Sequence, residues 1–148
     1  MARFVHEVHM RWSDMDAYRH INNAAYLSYL ESARVAMFFH RFEGFSAGTV
    51  IARHEIDYLR PVVFHPEPLR LELWIDRIRA ASFVVHYEVF DTAGGGRVAA
   101  RASTTCVTVD FGADRPRRLT GEERAVLAGF ADEPAGEPRE QASGPPAP

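Results

Sequence analysis

Four long segments with a period of two dominate the middle of this 148-residue chain. Each is rich in branched and aromatic residues, and short turn sequences separate them, among them the glycine run Gly94–Gly96. Glycine tolerates positive φ, which a tight hairpin requires. Because consecutive hairpins join neighbouring strands, the pattern predicts one antiparallel sheet. The segments read TVIARHEIDYLR, LRLELWIDRIR, SFVVHYEVFD and RVAARASTTCVTVD.

One strand and one long helix are expected before these segments. Residues 4–11 alternate as a first strand. Apolar residues then recur at helical spacing between Asn23 and His40, with Glu31 and Arg34 placed to pair at i, i+3. A helix with so wide an apolar stripe is mostly buried. We therefore expect an α+β fold. The stripe comprises Tyr26, Leu30, Ala33 and Met37.

Composition narrows the classes of function. A formal charge of −3 gives no basic field for nucleic acid, and all 17 basic residues are arginine, which excludes lysine-based Schiff-base chemistry. Cys106 is the only cysteine, so an internal disulfide is impossible, and a buried inert thiol is expected. We find no signal-peptide pattern and no membrane-spanning apolar run, so we expect a cytoplasmic protein.

The C-terminal part divides into two further segments. Thr120-Gly121-Glu122-Glu123 is a capping-box pattern that predicts a short helix. After Ala131 the chain is rich in Pro, Gly and Glu and poor in bulky apolar residues, which is typical of disorder. We therefore expect a main domain over residues 1–112, an extension with a short helix over 113–131 and a disordered tail over 132–148.

Two aspartates, a histidine and an asparagine pair lie just before the long helix. They suit either a helix cap with turn residues or an active site that uses the helix terminus. A metal site is the weaker interpretation, because HxH, HExxH and CxxC spacings are absent from the sequence. A GxSxG nucleophile elbow is absent too. The cluster comprises Asp14, Asp16, His20, Asn22 and Asn23.

The stretch DMDAYRHINNAAY resembles the DxDxxxHxNNxxY signature of hotdog thioesterases related to 4-hydroxybenzoyl-CoA thioesterase, and the corresponding stretch of plant acyl-ACP thioesterases. IDYLRP and RAASF are similar to further segments of that family. The resemblance spans Phe4 to Phe111. The chain departs from the family at Pro66-Glu67-Pro68, where many relatives carry Gly-Asp or a similar pair.

The resemblance implies a single hotdog domain, in which a curled antiparallel sheet of about five strands wraps a long central helix. It implies hydrolysis of acyl-CoA, or of acyl-ACP, without metal or organic cofactor, by a homodimer or homotetramer. Asp16 would be the nucleophile or general base, with His20 beside it, and the helix N-terminus at Asn23 would bind the oxyanion. We further expect substrate contacts from Asn22, Tyr26, Arg60, Arg79 and Ser82.

Two other functions stay open on the same fold. One is a non-catalytic protein that binds acyl thioesters, and the other is a hotdog dehydratase or hydratase. Fold alone does not separate these activities, since one scaffold hosts several chemistries. Release of free thiol from acyl-CoA distinguishes hydrolysis from binding.

Overall fold

The computed structural model describes residues 3–40 and 48–131, with the side chain of His40 excepted. The proposed tail over 132–148 lies outside the described residues. The described part forms an α+β fold of six strands and two α-helices, one strand more than the five expected. The elements are β1 (Phe4–Val8), α1 (Ala25–His40), β2 (Thr49–Tyr58), β3 (Leu69–Asp76), β4 (Ser82–Asp91), β5 (Arg97–Asp110), β6 (Arg115–Pro116) and α2 (Gly121–Ala128).

The strands form one antiparallel sheet in the order β1-β3-β4-β5-β2, and the two-residue β6 pairs with the end of β5. Gly95 and Gly96, in the β4–β5 hairpin, have φ of +91° and +69°, as the glycine run predicts. The chain order places β2 beside β5 at one edge of the sheet. Strand β2, which follows the long helix in sequence, therefore pairs with β5 and not with β3, the next strand along the chain.

The core lies between α1 and the inner face of the sheet. Leu71, Val85 and Cys106 are fully buried on that face, and Leu30 and Met37 are fully buried on α1. This confirms the apolar stripe expected from helical spacing. The helix packs on β1, β3 and β4, and burial of this apolar surface is the main source of stability.

Strand β2 is exposed along most of its length. In an antiparallel pair, opposite residues point to the same face, so the partners of the buried Thr104 and Cys106 face inward. Those partners are His54, which is exposed, and Ile51, which is 38% exposed. Helix α1 therefore does not cover the inner face of β2, and a groove is open between the two.

The predicted capping box starts α2. The hydroxyl of Thr120 accepts from the Glu123 N–H at 3.1 Å, and the Glu123 carboxylate accepts from the Thr120 N–H at 3.0 Å. Leu127 is fully buried in the common core, so this extension packs on the main domain. Neither α1 nor α2, nor the short turn at 12–14, is both long and apolar enough to cross a membrane.

Candidate active site

The segment from Asp14 to Asn22 folds into a tight turn that crosses the start of α1. The Asp16 N–H donates to the His20 carbonyl at 2.9 Å, and the Arg19 N–H donates to the Asp16 carbonyl at 3.0 Å. Arg19 has a φ of +61°, in the left-handed region that residues with a side chain rarely occupy. The turn therefore holds Asp16 and His20 on one short, fixed piece of backbone.

Asp14 fixes this turn from beneath. Its buried carboxylate accepts hydrogen bonds from the Arg11 N–H at 2.9 Å and from the Tyr29 hydroxyl at 2.7 Å. Burial alone would raise the pKa of Asp14, but these bonds, together with the Arg11 guanidinium, outweigh it and hold the pKa below the ordinary value. Asp14 is thus an ionised structural brace.

Asn22 caps the helix. Its side-chain oxygen accepts from the Ala24 N–H at 2.8 Å, and its carbonyl accepts from the Ala25 N–H at 3.0 Å. Helix α1 consequently begins at Ala25, two residues after the expected start at Asn23. Across residues 3–40 and 48–131, no acceptor is bonded to the Asn23 N–H. This leaves an amide donor at the positive end of the helix dipole.

The second wall of the site comes from the chain leaving β2. The Ala99 carbonyl accepts from the N–H groups of Leu59 and Arg60, at 2.9 and 3.1 Å, which extends the strand past its end. The Tyr58 hydroxyl then donates to the Asn23 carbonyl at 2.9 Å. The bond ties β2 to the helix start and restrains the backbone beside the Asn23 amide.

A cleft of about 350 Å³ lies between these two walls. It brings together five of the eight predicted site residues: Asp16, His20, Asn23, Tyr26 and Arg60. Sequence reasoning did not assign Tyr58 to the site, although it lies in the IDYLRP segment that resembles the family. The further lining residues are Ile21, Leu59 and Pro61.

Three predicted residues lie elsewhere. Asn22 is engaged in the cap described above, while Arg79 and Ser82 belong to the β3–β4 hairpin. Ser82 pairs with Val107 on β5, whereas Tyr58 pairs with Ala100. These positions are seven residues apart on one strand, which corresponds to about 23 Å at roughly 3.3 Å per residue. Within one chain, Arg79 and Ser82 therefore do not reach the cleft.

The ionisation states of one cleft residue and of the single cysteine limit the chemistry. Burial, with smaller contributions from Asp91 and Tyr58, raises the pKa of Tyr26 to about 12, so Tyr26 stays a neutral phenol at pH 7. Burial raises the pKa of Cys106 to about 11, which agrees with an inert thiol. Among the described residues, no three His, Cys, Asp or Glu side chains are grouped to hold a metal ion.

The cleft thus combines a carboxylate, an imidazole and a free amide donor at a helix N-terminus. An amide in this position can stabilise negative charge on a carbonyl oxygen, and a carboxylate can attack that carbonyl or deprotonate water. One oxygen of Asp16 accepts from the Tyr18 N–H at 2.9 Å, which orients the carboxylate. The geometry suits hydrolysis of an activated acyl compound.

Comparison with known proteins agrees with this chemistry. The sequence model of the Thioesterase-like superfamily matches residues 10–133. The long-chain acyl-CoA thioesterase FadM of Escherichia coli strain K12 is 28% identical over 126 residues, which cover 82% of this chain and 94% of FadM.

Solved structures share the fold. A thioesterase from Thermus thermophilus, complexed with coenzyme A and Zn, has a TM-score of 0.74 and 28% identity, covering 88% of this chain and 95% of that one. A predicted thioesterase from Bacillus stearothermophilus has a TM-score of 0.79 at 24% identity, covering 90% of this chain and 99% of that one. At that identity, the likeness concerns the fold alone.

Proposed function

We propose that this chain, which belongs to the thioesterase-like superfamily, hydrolyses acyl-CoA thioesters to the free acid and coenzyme A. One observation carries the proposal: Asp16, His20 and the unpaired amide of Asn23 line a single cleft. FadM is a long-chain acyl-CoA thioesterase, and the Thermus thermophilus thioesterase is complexed with coenzyme A, so coenzyme A is favoured as the carrier. Acyl carrier protein is the second candidate.

Asp16 initiates the attack on the thioester by one of two routes. As a general base it removes a proton from water, and the resulting hydroxide oxygen bonds to the thioester carbon. As a nucleophile, its carboxylate oxygen bonds to that carbon, and water then hydrolyses the mixed anhydride. In both routes the carbon–sulfur bond breaks and the electron pair leaves with the thiolate. Oxygen-18 labelling of Asp16 in a single turnover distinguishes them.

The Asn23 N–H stabilises the charge that develops on the thioester oxygen. A fixed donor at a helix N-terminus needs no reorientation during the reaction, which makes such donors effective. Tyr58 holds the Asn23 carbonyl and thereby limits movement of the local backbone. His20 lines the same cleft, and we assign it the transfer of a proton to the departing thiolate.

The exposed Arg60 lies at the mouth of the cleft, where its guanidinium can bind a phosphate of coenzyme A. Arg79 and Ser82 join the site only if a second copy of the chain supplies them. We therefore extend the proposal to a homodimer built on β2, an edge strand whose residues Val50 and Ile51 are 41% and 38% exposed.

Antiparallel pairing of β2 with its copy is consistent with these contacts. It places the start of β2 from one copy beside the end of β2 from the other copy. The β3–β4 hairpin of the first copy then lies at the end of the sheet that holds the cleft of the other copy. Three strand spacings of roughly 4.8 Å then separate Tyr58 from the second β4, a distance of about 14 Å that an extended coenzyme A can span. A homotetramer would be an association of two such dimers.

Thiol release tests the activity. Purified protein is mixed with acyl-CoA esters of increasing chain length, and free coenzyme A is detected with a thiol reagent. We expect turnover that is retained after treatment with a chelator. Tight binding of the esters without thiol release would favour the non-catalytic binding protein, and addition of water across an enoyl-CoA would favour a hydratase.

A further inference from the structure

A buried arginine lies beside the groove between α1 and β2, away from Asp16. Arg34 is 7% exposed and lines a second cleft of about 340 Å³. The walls of this cleft are largely apolar: they include Val35, Phe38, Phe39 and Ile51. A guanidinium on such a wall is unusual, because desolvating a charge is costly unless the charge is paired.

Those neighbours of Arg34 that the structure describes do not neutralise its charge. Its Nη1 donates to the Tyr87 hydroxyl at 3.1 Å, and burial raises the pKa of Tyr87 to about 12, so that partner is a neutral phenol. Within the described ranges, no Asp or Glu oxygen lies within 4.0 Å of the guanidinium. The expected pair with Glu31 is therefore not formed, although Glu31 lines the same cleft. Among the described residues, the Tyr87 hydroxyl is the acceptor bonded to Arg34, and most of the five guanidinium donors have no other.

A second polar group, His54, lies near Arg34 on the uncovered face of β2. Its Nδ1 is 2.8 Å from the hydroxyl oxygen of Thr104, which leaves Nε2 available to a ligand. Burial, and then the charge of Arg34, lower the pKa of His54, which keeps the imidazole neutral at pH 7. Arg34 and His54 thus place polar atoms beside a largely apolar wall, in a groove that Glu31 and Thr49 also line.

The two clefts lie along the same pair of elements. Helix α1 and strand β2 supply residues to both clefts, with Tyr26 and Tyr58 at one end and Arg34 and Ile51 at the other. Eleven residues separate Asn23 from Arg34, or about 16 Å at roughly 1.5 Å per residue. Helical side chains lean towards the N-terminus, which shortens the separation of the guanidinium and Asn23 along the helix axis.

We propose that Arg34, assisted by His54, recognises an oxygen-bearing acyl group, with the oxo, hydroxyl or carboxylate oxygen several bonds away from the thioester. This inference rests on the proposed function, because it places the acyl chain between α1 and β2, running from Asp16 towards Arg34. The guanidinium would donate to the substrate oxygen and find the acceptor that the described residues do not provide. Plain alkyl chains would leave it unpaired and bind less well.

Esters of equal chain length test the proposal. We compare kcat/KM for octanoyl-CoA with the values for 7-oxooctanoyl-CoA and suberoyl-CoA, its ω-carboxyl counterpart. The wild-type protein should prefer at least one oxygen-bearing ester by about 10- to 100-fold, since an unmet charged donor weakens binding by that order. Equal values for all three esters would overturn the inference.

Arg34→Met, which retains much of the side-chain volume, should reduce this preference to about threefold or less. Arg53→Met is the matched control, because Arg53 is an exposed arginine on the outer face of β2, where it pairs with Glu55. If Arg34→Met unfolds, Arg34→Lys takes its place, because lysine keeps the charge but loses the guanidinium fork, and the preference should again fall. A preference that survives in folded Arg34 variants would contradict the role.

Calorimetry separates this inference from the proposed function. The three intact esters are titrated into Asp16→Asn protein, whose turnover we expect to be lost. Tighter binding of an oxygen-bearing ester, abolished by adding Arg34→Met, supports the inference even if the wild-type protein proves not to hydrolyse any ester. Equal affinities for the three esters would reject it even if hydrolysis is observed.

Discussion

Asp14 and Asp16 are two residues apart in sequence, yet their carboxylates have different surroundings. Asp14 is buried, and its oxygens accept from Arg11 and Tyr29. Asp16 lines the cleft and accepts one bond, from the Tyr18 N–H. The sequence indicated a polar cluster and a bracing role for Asp14. It could not show that the Tyr29 hydroxyl, about one turn into the helix, completes that brace.

Replacing Asp14 by Asn should reduce the free energy of unfolding by about 1.5–3 kcal/mol at pH 7, because hydrogen bonds to a charged group are lost. The pKa of Asp14 is lowered by folding, so its contribution is full above the ordinary value of 3.8 and is lost as the pH falls through the lower, folded value. Thermal unfolding of wild type and variant from pH 7 to pH 3 checks this. Asp114→Asn, at an exposed turn, is the control, and a stability gap that widens below pH 3.8 would contradict the assignment.

Tyr58→Phe should lower kcat by about 2- to 10-fold with little change in KM, because the Asn23 carbonyl loses its hydrogen bond and the neighbouring amide is held less firmly. Tyr26→Phe is the control. The Tyr26 ring contacts the Tyr58 ring edge-on, with centroids 5.2 Å apart, but the hydrogen bond to the Asn23 carbonyl comes from Tyr58. Steady-state kinetics of both variants compares them. The reverse order of effects would point to Tyr26 as the functional hydroxyl.

At the scale of elements, alternation predicted β1 to β5, helical spacing predicted α1, and the capping box predicted α2. The predicted first strand ran to Arg11, but β1 ends at Val8, where the chain turns into the 3₁₀ turn at 12–14. Strand β6 was not expected, since two residues that include a proline carry no periodic signal. Nor could spacing show that the end of β2 meets the start of α1.

Thr120→Ala should destabilise the protein by about 1 kcal/mol and lower Tm by about 2–4 °C, because the Glu123 N–H loses its cap. Turnover should not change, since α2 packs beside the β3–β4 hairpin, where the Leu119 N–H donates to the Ala80 carbonyl at 2.8 Å. Calorimetry and thiol release measure the two effects. Ser28→Ala, at an exposed position of α1, should cost no stability, and a loss of activity in Thr120→Ala would show that α2 affects the site.

At the scale of the whole molecule, the strand order leaves β2 at an edge and Arg79 and Ser82 far from the cleft of their own chain. The family resemblance predicted that these two residues contact substrate. A single sequence does not show whether they contact substrate in the cleft of their own chain or in that of a second copy. That depends on the register between β2 and β5 and on pairing between copies. In the proposed dimer, Arg79 and Ser82 of one copy lie near the cleft of the other copy, which agrees with a role in substrate binding.

Light scattering should give a mass of about twice the 16.7 kDa of one chain. Val50→Lys places a charge on the exposed edge strand β2 and should weaken the dimer and the activity together. Val5→Lys is the matched control, because Val5 is 51% exposed on β1 at the opposite edge. A dimer that withstands Val50→Lys but dissociates in Val5→Lys would place the interface on the other edge.

The turnover of Asp16→Asn protein tests the central claim most directly. Asparagine preserves the size and the bond from Tyr18 but can neither attack the thioester nor deprotonate water. We predict that kcat for acyl-CoA falls by at least about 100-fold while KM changes little, and that Asn23→Ala, which keeps the backbone amide, loses far less. Near-parental turnover in correctly folded Asp16→Asn protein would contradict the account and leave the polar cluster as a helix cap.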